Sequence, residues 1–280
     1  MNALRKRMRL IGPCVLPILL VTAMVAAPGE VLAGITNTIP YSDNFENYTN
    51  GTPLIDGTNG WYGDSYSING TNWVSIVQTN IVRTGSNAAM ISYDCTLSNR
   101  FQSSAPTNVW VQMDLRPDLF DGTNNPAVDT NKAVMFFINS NGNFVVHNGP
   151  ASPDPTNSVN WVVATNNVRI NTNRTTWVRI NIYENFAKTN WDLYADGVLV
   201  TNNIGFVNTN LTNFTGFSIY NGATTSYLDN VLVTAPATND QPPLIVVPSA
   251  LSRSFYAGAT LSVVPNDQTV KVMKSILKNL

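Results

Sequence analysis

The segment Thr176–Tyr183, TWVRINIY, and the later segment Trp191–Val200, WDLYADGVLV, decide the fold class of this chain. In the first segment Val178, Ile180 and Ile182 alternate with polar or amphipathic residues, which is the two-residue period of a β-strand. In the second segment an Asp-Gly pair separates two apolar runs and supplies the positive φ angles of a tight hairpin turn. The two segments predict a strand followed by a β-hairpin.

Short β-runs of the same kind, separated by turns rich in Asn, Gly and Thr, extend over residues 39–235. They lie at Trp73–Val77, Ala88–Tyr93, Val109–Leu115, Lys132–Ile138, Asn143–His147, Trp161–Ala164, Gly216–Tyr220 and Ser226–Val233. No segment keeps a 3.6-residue apolar period. Many strands at intervals of about ten residues predict an all-β protein, an antiparallel two-sheet sandwich.

The composition and net charge bear on the class of partner to expect. Hydrophobic residues make up 44% of the chain, but only 12% of the residues are charged and the formal charge is -1. A globular protein usually carries about 25% charged residues. Because the chain offers no strongly basic field, a nucleic-acid partner is not expected.

The first 33 residues read as a signal peptide. Four basic residues precede the apolar stretch Leu10–Ala27, and the small-residue pattern ending at Ala33 fits a cleavage site. The alternative is an uncleaved membrane anchor, because the apolar stretch is nearly long enough to span a bilayer. We predict a protein that is secreted to the exterior or to the cell surface, with no membrane contact after cleavage.

The C-terminal part is predicted to be separate from the sandwich, which we place at residues 34–235. Residues 236–243 have the composition of a linker. Residues 244–280 form an extension too short to fold easily alone, so it is either a truncated second β-module or a docking appendage.

Cysteine and histidine are scarce. Cys14 is removed with the signal peptide, so Cys95 has no disulfide partner and is expected to be a small buried hydrophobe. The single histidine, His147, lies beside a predicted hairpin and is expected to be a surface polar residue.

Six short motifs together resemble the concanavalin A-like, laminin-G-like jelly-roll superfamily of secreted bacterial proteins. They are DNFE at 43–46, GTP at 51–53, GW at 60–61, WVRI at 177–180 with WDLYADG at 191–197, GFSIY at 216–220 and YLDNV at 227–231. The resemblance covers residues 39–234. It implies a jelly roll in which the last strand returns beside the first, an architecture that hosts lectins, adhesion modules and glycosidases alike.

No catalytic constellation is evident. Glycoside hydrolysis generally needs two carboxylates about 5–10 Å apart. After cleavage only Glu46 and Glu184 remain as glutamates, in distant segments, although a pair of aspartates is not excluded. The chain also lacks a nucleophile elbow, zinc ligands and a phosphate-binding glycine loop. We predict that the protein is not an enzyme, with a glycoside hydrolase as a less favoured reading.

Calcium is the cofactor that the residues suit best, in a structural role. It takes six to eight oxygen ligands, and the resemblance brings the first and last strands together. The candidate ligands are Asp43, Asn44, Glu46, Asp229 and Asn230. The alternative is that these carboxylates accept hydrogen bonds from backbone N–H groups at turns.

Carbohydrate is the leading ligand. Sugar rings pack their C–H faces on aromatic planes while amides bind the hydroxyls. The candidate ligand-binding residues are Trp61, Tyr62, Trp73, Tyr220, Asn221 and Tyr227. The alternative is that these rings cover the edges of the sandwich, whereas Trp177 and Trp191 are expected in the core or on a sheet face.

Two functions therefore remain open. One is a non-catalytic, lectin-like module that binds a polysaccharide or glycan. The other is a structural or adhesion module of the cell surface without a small ligand, which the low charge and the Asn/Thr-rich faces favour. Exposed, coplanar aromatic rings on a concave face distinguish the first from the second. In either case we expect a monomer.

Overall fold

The computed structural model describes residues 36–68, 70–102, 108–151, 160–222 and 224–235, and every regular element in them is a β-strand. None of these residues forms a helix with the length and apolar character needed to span a bilayer. The predicted signal peptide (1–33), linker (236–243) and extension (244–280) lie outside the described residues, and so those predictions stay predictions.

The largest sheet has eight antiparallel strands. They are β1 (Tyr41–Asp43), β5 (Ile76–Gln78), β6 (Ala88–Ile91), β8 (Asn108–Arg116), β12 (Val178–Asn185), β13 (Asn190–Ala195), β14 (Val198–Gly205) and β16 (Ser226–Thr234). Their order is β14-β13-β12-β8-β16-β6-β5, and β1 also pairs with β16.

Two three-stranded sheets and a hairpin complete the fold. The sheets are β2 (Trp61–Gly63), β7 (Cys95–Arg100) and β15 (Gly216–Asn221), and β9 (Phe136–Ile138), β10 (Phe144–His147) and β11 (Trp161–Val163); the hairpin is β3 (Ser65–Ile68) with β4 (Thr71–Val74). One buried apolar cluster contains residues from the large sheet and from both small sheets. The small sheets therefore form the layer opposite the large sheet, and the predicted all-β antiparallel sandwich is confirmed.

The deciding segments fold as predicted. Val178, Ile180 and Ile182 of β12 are buried in the common core. Asp196 and Gly197 join β13 to β14 with φ angles of 48° and 80°, the left-handed pair that a two-residue hairpin requires. Local turn chemistry thus sets the register of this hairpin.

The first and last strands lie side by side. β1 pairs antiparallel with β16, with Tyr41 opposite Val233 and Asp43 opposite Val231. This pairing, which the resemblance implied, brings residues about 190 positions apart into one sheet and positions the acidic side chains of both strands near each other.

The predicted run Trp73–Val77 is not one strand. It divides at Ser75, because β4 pairs with β3 in the small hairpin whereas β5 pairs with β6 in the large sheet. The two pieces pair with different strands in the folded protein, and the apolar pattern of the sequence does not encode which strand each one pairs with.

Strand β8 is buried on both faces, although its alternating pattern predicts a half-buried strand. Val109 and Val111 enter the core. On the opposite face Trp110 packs against Tyr183 at 4.7 Å and Tyr194 at 5.8 Å between ring centroids. Aromatic side chains from the neighbouring strands thus bury the second face.

Candidate functional site

The junction of β1 and β16 is built around a buried carboxylate. Asp43 accepts five hydrogen bonds, from Phe45 N (2.9 Å), Tyr41 Oη (3.1 Å), Tyr48 Oη (2.8 Å), Asn59 Nδ2 (3.0 Å) and Trp61 Nε1 (2.9 Å). Burial and the adjacent carboxylate raise the pKa of Tyr41 and Tyr48, so both phenols keep their protons and continue to donate.

The other acidic residues of the junction hold the loop between β5 and β6. Glu46 Oε1 accepts from Ser86 N at 2.9 Å and from Asn87 N at 3.0 Å. Asp229 Oδ2 accepts from Arg83 N at 3.0 Å and from Thr84 N at 3.1 Å. These carboxylates therefore bind backbone N–H groups across long sequence separations.

Asp229 lies opposite a second buried carboxylate. Its cross-strand neighbour on β8 is Asp114, which forms a two-pronged ion pair with Arg179, Nε–Oδ1 and Nη2–Oδ2 both being 2.8 Å. Asn230 Nδ2 also donates to Asp114 Oδ2 at 2.8 Å. Burial raises the pKa of Asp229 to about 6, and three backbone N–H donors oppose that rise. Both carboxylates are fully buried.

The predicted calcium ligands lie on or next to the paired strands β1 and β16, and the carboxylate oxygens of Asp43, Glu46 and Asp229 already accept hydrogen bonds. Asn44 Oδ1 accepts from Glu46 N at 3.3 Å. Among the described residues, no group of three or more His, Cys, Asp or Glu side chains is arranged to hold a metal ion. Calcium binding stays a prediction, and the geometry favours the hydrogen-bonding alternative.

Two of the predicted ligand-binding residues are in the interior, which corrects the expectation that they face a ligand. Trp61 is 0% exposed because its ring packs between Phe45 and Phe217 and its Nε1 donates to Asp43. Asn221 is 1% exposed, and its Nδ2 donates to the backbone oxygens of Ile91, Ser92 and Thr224. Both residues lie in strands, Trp61 in β2 and Asn221 in β15, and tertiary packing buries them.

Two other predicted rings are partly covered by arginine. The guanidinium of Arg100 lies 3.9 Å from the ring centroid of Tyr62, and that of Arg116 lies 5.2 Å from the ring centroid of Tyr227. These cation–π contacts occupy one ring face each.

The remaining predicted rings, Trp73 and Tyr220, lie in one exposed cluster. Trp73 packs edge to face on Tyr93 at 6.3 Å, and Tyr66 does the same at 5.7 Å. Tyr220 Oη donates to Asp94 at 2.6 Å. We name Tyr66, Trp73, Tyr93 and Tyr220 the aromatic patch. Trp73 is 36% and Tyr220 64% exposed, and the ring planes of Tyr66 and Trp73 each cross that of Tyr93 at 68°.

A second aromatic site, absent from the sequence predictions, is a cavity of about 300 Å³ on the outer face of the β9–β10–β11 sheet. We name it the small-sheet pocket. Its lining residues are Phe120, Gly122, Asn125, Phe137, Asn139, Ser140, Val145, Trp161 and Val163. Phe120 extends the sheet by pairing with Asn139 beside β9, so the pocket has a wall on that side.

The aromatic part of the pocket is a continuous row of rings. Phe120 and Phe137 have centroids 4.9 Å apart, Phe137 and Trp161 5.2 Å, and Trp161 and His147 5.1 Å. His147 is buried beside Trp161, its cross-strand partner, which corrects the surface position expected for it, and burial lowers its pKa. A neutral imidazole therefore ends the row of rings.

The polar part of the pocket consists of neutral groups. Asn139 Oδ1 accepts from Asn141 N and Asn143 N, both at 3.0 Å, within the β9–β10 turn. Asn125 and Ser140 complete the polar lining. Trp161 Nε1 is buried and has no hydrogen-bond partner among the described residues.

The sequence carried a weak signal for this pocket. Lys132–Ile138, Asn143–His147 and Trp161–Ala164 were all predicted as short strands, and the β9–β10 hairpin is confirmed. What was missing is that β11 pairs with β10, which places Trp161 opposite His147, from where its ring contacts Phe137 of β9. That pairing crosses a long connection and leaves no local pattern.

Of the comparisons with known proteins, the one with solved structures found similarity. No protein-family model and no curated protein matches the chain. Among solved structures it is similar to a sialidase (TM-score 0.46, 12% identity, 72% of this chain and 19% of the sialidase). It is also similar to domain 4 of AbnA, an extracellular GH43 arabinanase from Geobacillus stearothermophilus in complex with arabinotriose (TM-score 0.40, 12% identity, 63% of this chain and 82% of that chain). A further similar structure is a native glycosidic hydrolase (TM-score 0.39, 11% identity, 75% of this chain and 100% of that chain). The chain therefore spans about a fifth of the sialidase.

Proposed function

We propose that this protein is a secreted, non-catalytic carbohydrate-binding module of the concanavalin A-like, laminin-G-like type, and that the small-sheet pocket holds the sugar. The observation that carries the proposal is the row of rings in the pocket beside neutral amide and hydroxyl groups. A volume of about 300 Å³ lies at the lower end of the range of small-ligand pockets. It suits one or two sugar rings of a longer glycan.

The chemistry of the pocket matches the two faces of a sugar. The C–H groups of a pyranose ring are apolar and pack on an aromatic surface, and Phe137 and Trp161 each offer one ring, with planes 66° apart. Hydroxyl groups both donate and accept, so they are satisfied by amides and hydroxyls such as those of Asn125 and Ser140. Neighbouring rings cross at similar angles in the pocket and in the aromatic patch, so the pocket is favoured by the amide and hydroxyl groups among its lining residues.

The buried state of the carboxylates supports a non-catalytic role. Asp114 and Asp229 are neighbours across β8 and β16, the arrangement that an acid–base pair would need. Their oxygens accept hydrogen bonds from Arg179, Asn230 and the β5–β6 loop, and both residues are buried. A substrate would have to break these bonds to reach either group.

The test is affinity electrophoresis and isothermal titration with a panel of soluble polysaccharides, comparing the native protein with Trp161→Ala. Loss of the stacking platform is expected to weaken binding at least about tenfold, since an aromatic contact contributes roughly 1 kcal/mol or more and 1.4 kcal/mol is tenfold. Asn125→Ala, which alters an exposed polar side chain without touching the row of rings, is expected to weaken binding by a smaller factor.

The matched control is Trp73→Ala, which removes an exposed indole from the aromatic patch. It is expected to leave the affinity unchanged. If Trp73→Ala abolished binding and Trp161→Ala did not, the site would be the aromatic patch. If the native protein retained no glycan at all, the structural or adhesion role would replace the proposed one.

A further inference from the structure

Building on the proposed function, we infer that the small-sheet pocket selects neutral sugars and rejects uronates, sialates and other anionic sugars. All nine side chains that line it are uncharged, comprising three aromatic rings, two valines, one glycine, two asparagines and one serine. The selectivity comes from what a charged ligand group would meet inside the cavity.

A sugar carboxylate loses its hydration when it enters a pocket, and it needs a charged or multiple hydrogen-bond partner in return. Proteins usually supply arginine or lysine for this purpose. Here the only side-chain donors among the lining residues with polar side chains are two amides and one hydroxyl, all neutral. An unpaired carboxylate beside Phe137 and Trp161 would therefore bear most of its desolvation cost.

The one charged residue within the pocket-forming segment 120–125 has the wrong sign for an anion. Asp121 lies between the lining residues Phe120 and Gly122 and is exposed. Its negative charge repels an anionic ligand at the rim, an effect that salt weakens. A neutral hydroxymethyl group at the same place experiences no such repulsion.

A second depression of the fold provides an internal contrast. Its volume is about 270 Å³, and it lies beside β12 and the β13–β14 turn with Arg169, Trp177 and Asp196 among its lining residues. It is similar in size to the small-sheet pocket but its lining includes one cation, Arg169, and one anion, Asp196. An anionic glycan that binds this protein would use Arg169 rather than the row of rings.

The experiment pairs each neutral polymer with its own anion. Polymers of glucose, mannose and galactose are each compared with the polyuronate of the same sugar and the same linkage, using the full-length secreted protein, Trp161→Ala and Arg169→Gln. We expect at least a tenfold preference for one or more neutral polymers over the matched polyuronate. That preference should disappear in Trp161→Ala and persist in Arg169→Gln.

The outcomes separate the inference from the proposed function. Binding of a polyuronate that is lost in Trp161→Ala would overturn the neutral selectivity while leaving the pocket as a glycan site. Equal binding of the neutral and anionic members of a pair would overturn it as well. Retention of no polymer by the native protein would instead overturn the proposed function, and the inference with it.

Discussion

The β1–β16 junction and the small-sheet pocket are both polar and aromatic, but they differ in how far their polar groups are used. At the junction Asp43 accepts five hydrogen bonds from within the fold, and Asp229 binds two backbone N–H groups of a distant loop. In the pocket Trp161 Nε1 has no partner among the described residues. The carboxylates of the junction are satisfied within the fold, whereas the pocket contains a buried indole N–H that the described residues leave unpaired.

This difference explains why residue type alone was a poor guide to the site. A carboxylate in a low-dielectric setting is stabilised only by several donors, and once it has them it has little to offer a ligand. The junction contains the residue types of a binding site, but its carboxylates are hydrogen-bonded to groups of the fold itself, as in a structural site. Counting which hydrogen bonds are already made separates the two.

The largest expected effect is the loss of stability in Asp43→Asn. The substituted amide keeps one acceptor oxygen and places a donor against Tyr48 and Trp61, so donors that are now paired would be left without acceptors. A loss of about 2–4 kcal/mol in the free energy of unfolding is expected, because hydrogen bonds to charged groups contribute about 1.5–3 kcal/mol each and are not additive. Urea titration measures it.

The control for this variant is Asn47→Ser, a change at an exposed position in the same turn. It should alter the stability by less than about 0.5 kcal/mol. If Asp43→Asn were equally harmless, the junction would not depend on the carboxylate, and the contrast between the two regions would fail.

The next effect concerns Glu184, a carboxyl group whose pKa is raised by burial without the opposing hydrogen-bond donors found at the junction. Burial raises the pKa of Glu184 on β12 to about 8, from an ordinary value of 4.5. The folded state therefore keeps this proton to a higher pH than the unfolded state does. The free energy of unfolding must then fall as the pH rises from about 4.5 to about 8, because the unfolded state releases this proton first.

Glu184→Gln removes this titration while keeping the shape of the side chain. We expect the variant to be the more stable protein near pH 8 and to lack the part of the pH dependence that Glu184 causes. Chemical unfolding of both proteins at several pH values between 4 and 8 provides the measurement. Parallel stability curves would contradict the assignment.

The smallest expected effect is that of calcium. Since the carboxylate oxygens of Asp43, Glu46 and Asp229 already accept hydrogen bonds, adding calcium to chelated protein is expected to change the melting temperature by less than about 1 °C. A rise of several degrees that Glu46→Gln removes would establish the metal site predicted from the sequence and make the junction a binding region too.

Sequence patterns predicted the strands and turns more successfully than the site. The β12 strand and the Asp196-Gly197 hairpin follow from side-chain alternation and from a turn that needs two positive φ angles. Trp73 and Tyr220 were identified as exposed rings, whereas Trp61 was misplaced because a Gly-Trp motif reads as a loop. Its burial depends on Asp43, which is 18 positions away.

The sequence by itself determined the all-β class, because turn residues and the alternation of apolar and polar side chains act within a few positions of one another. The alternation within a strand also indicates which of its faces is buried. Only the tertiary structure decided which polar groups are satisfied. The bonds of Asp229 to the β5–β6 loop and the row from Phe120 to Trp161 join segments far apart in the chain. The physical reason is that the environment of a side chain, and hence its freedom to bind a ligand, is set by neighbours that chain folding brings together.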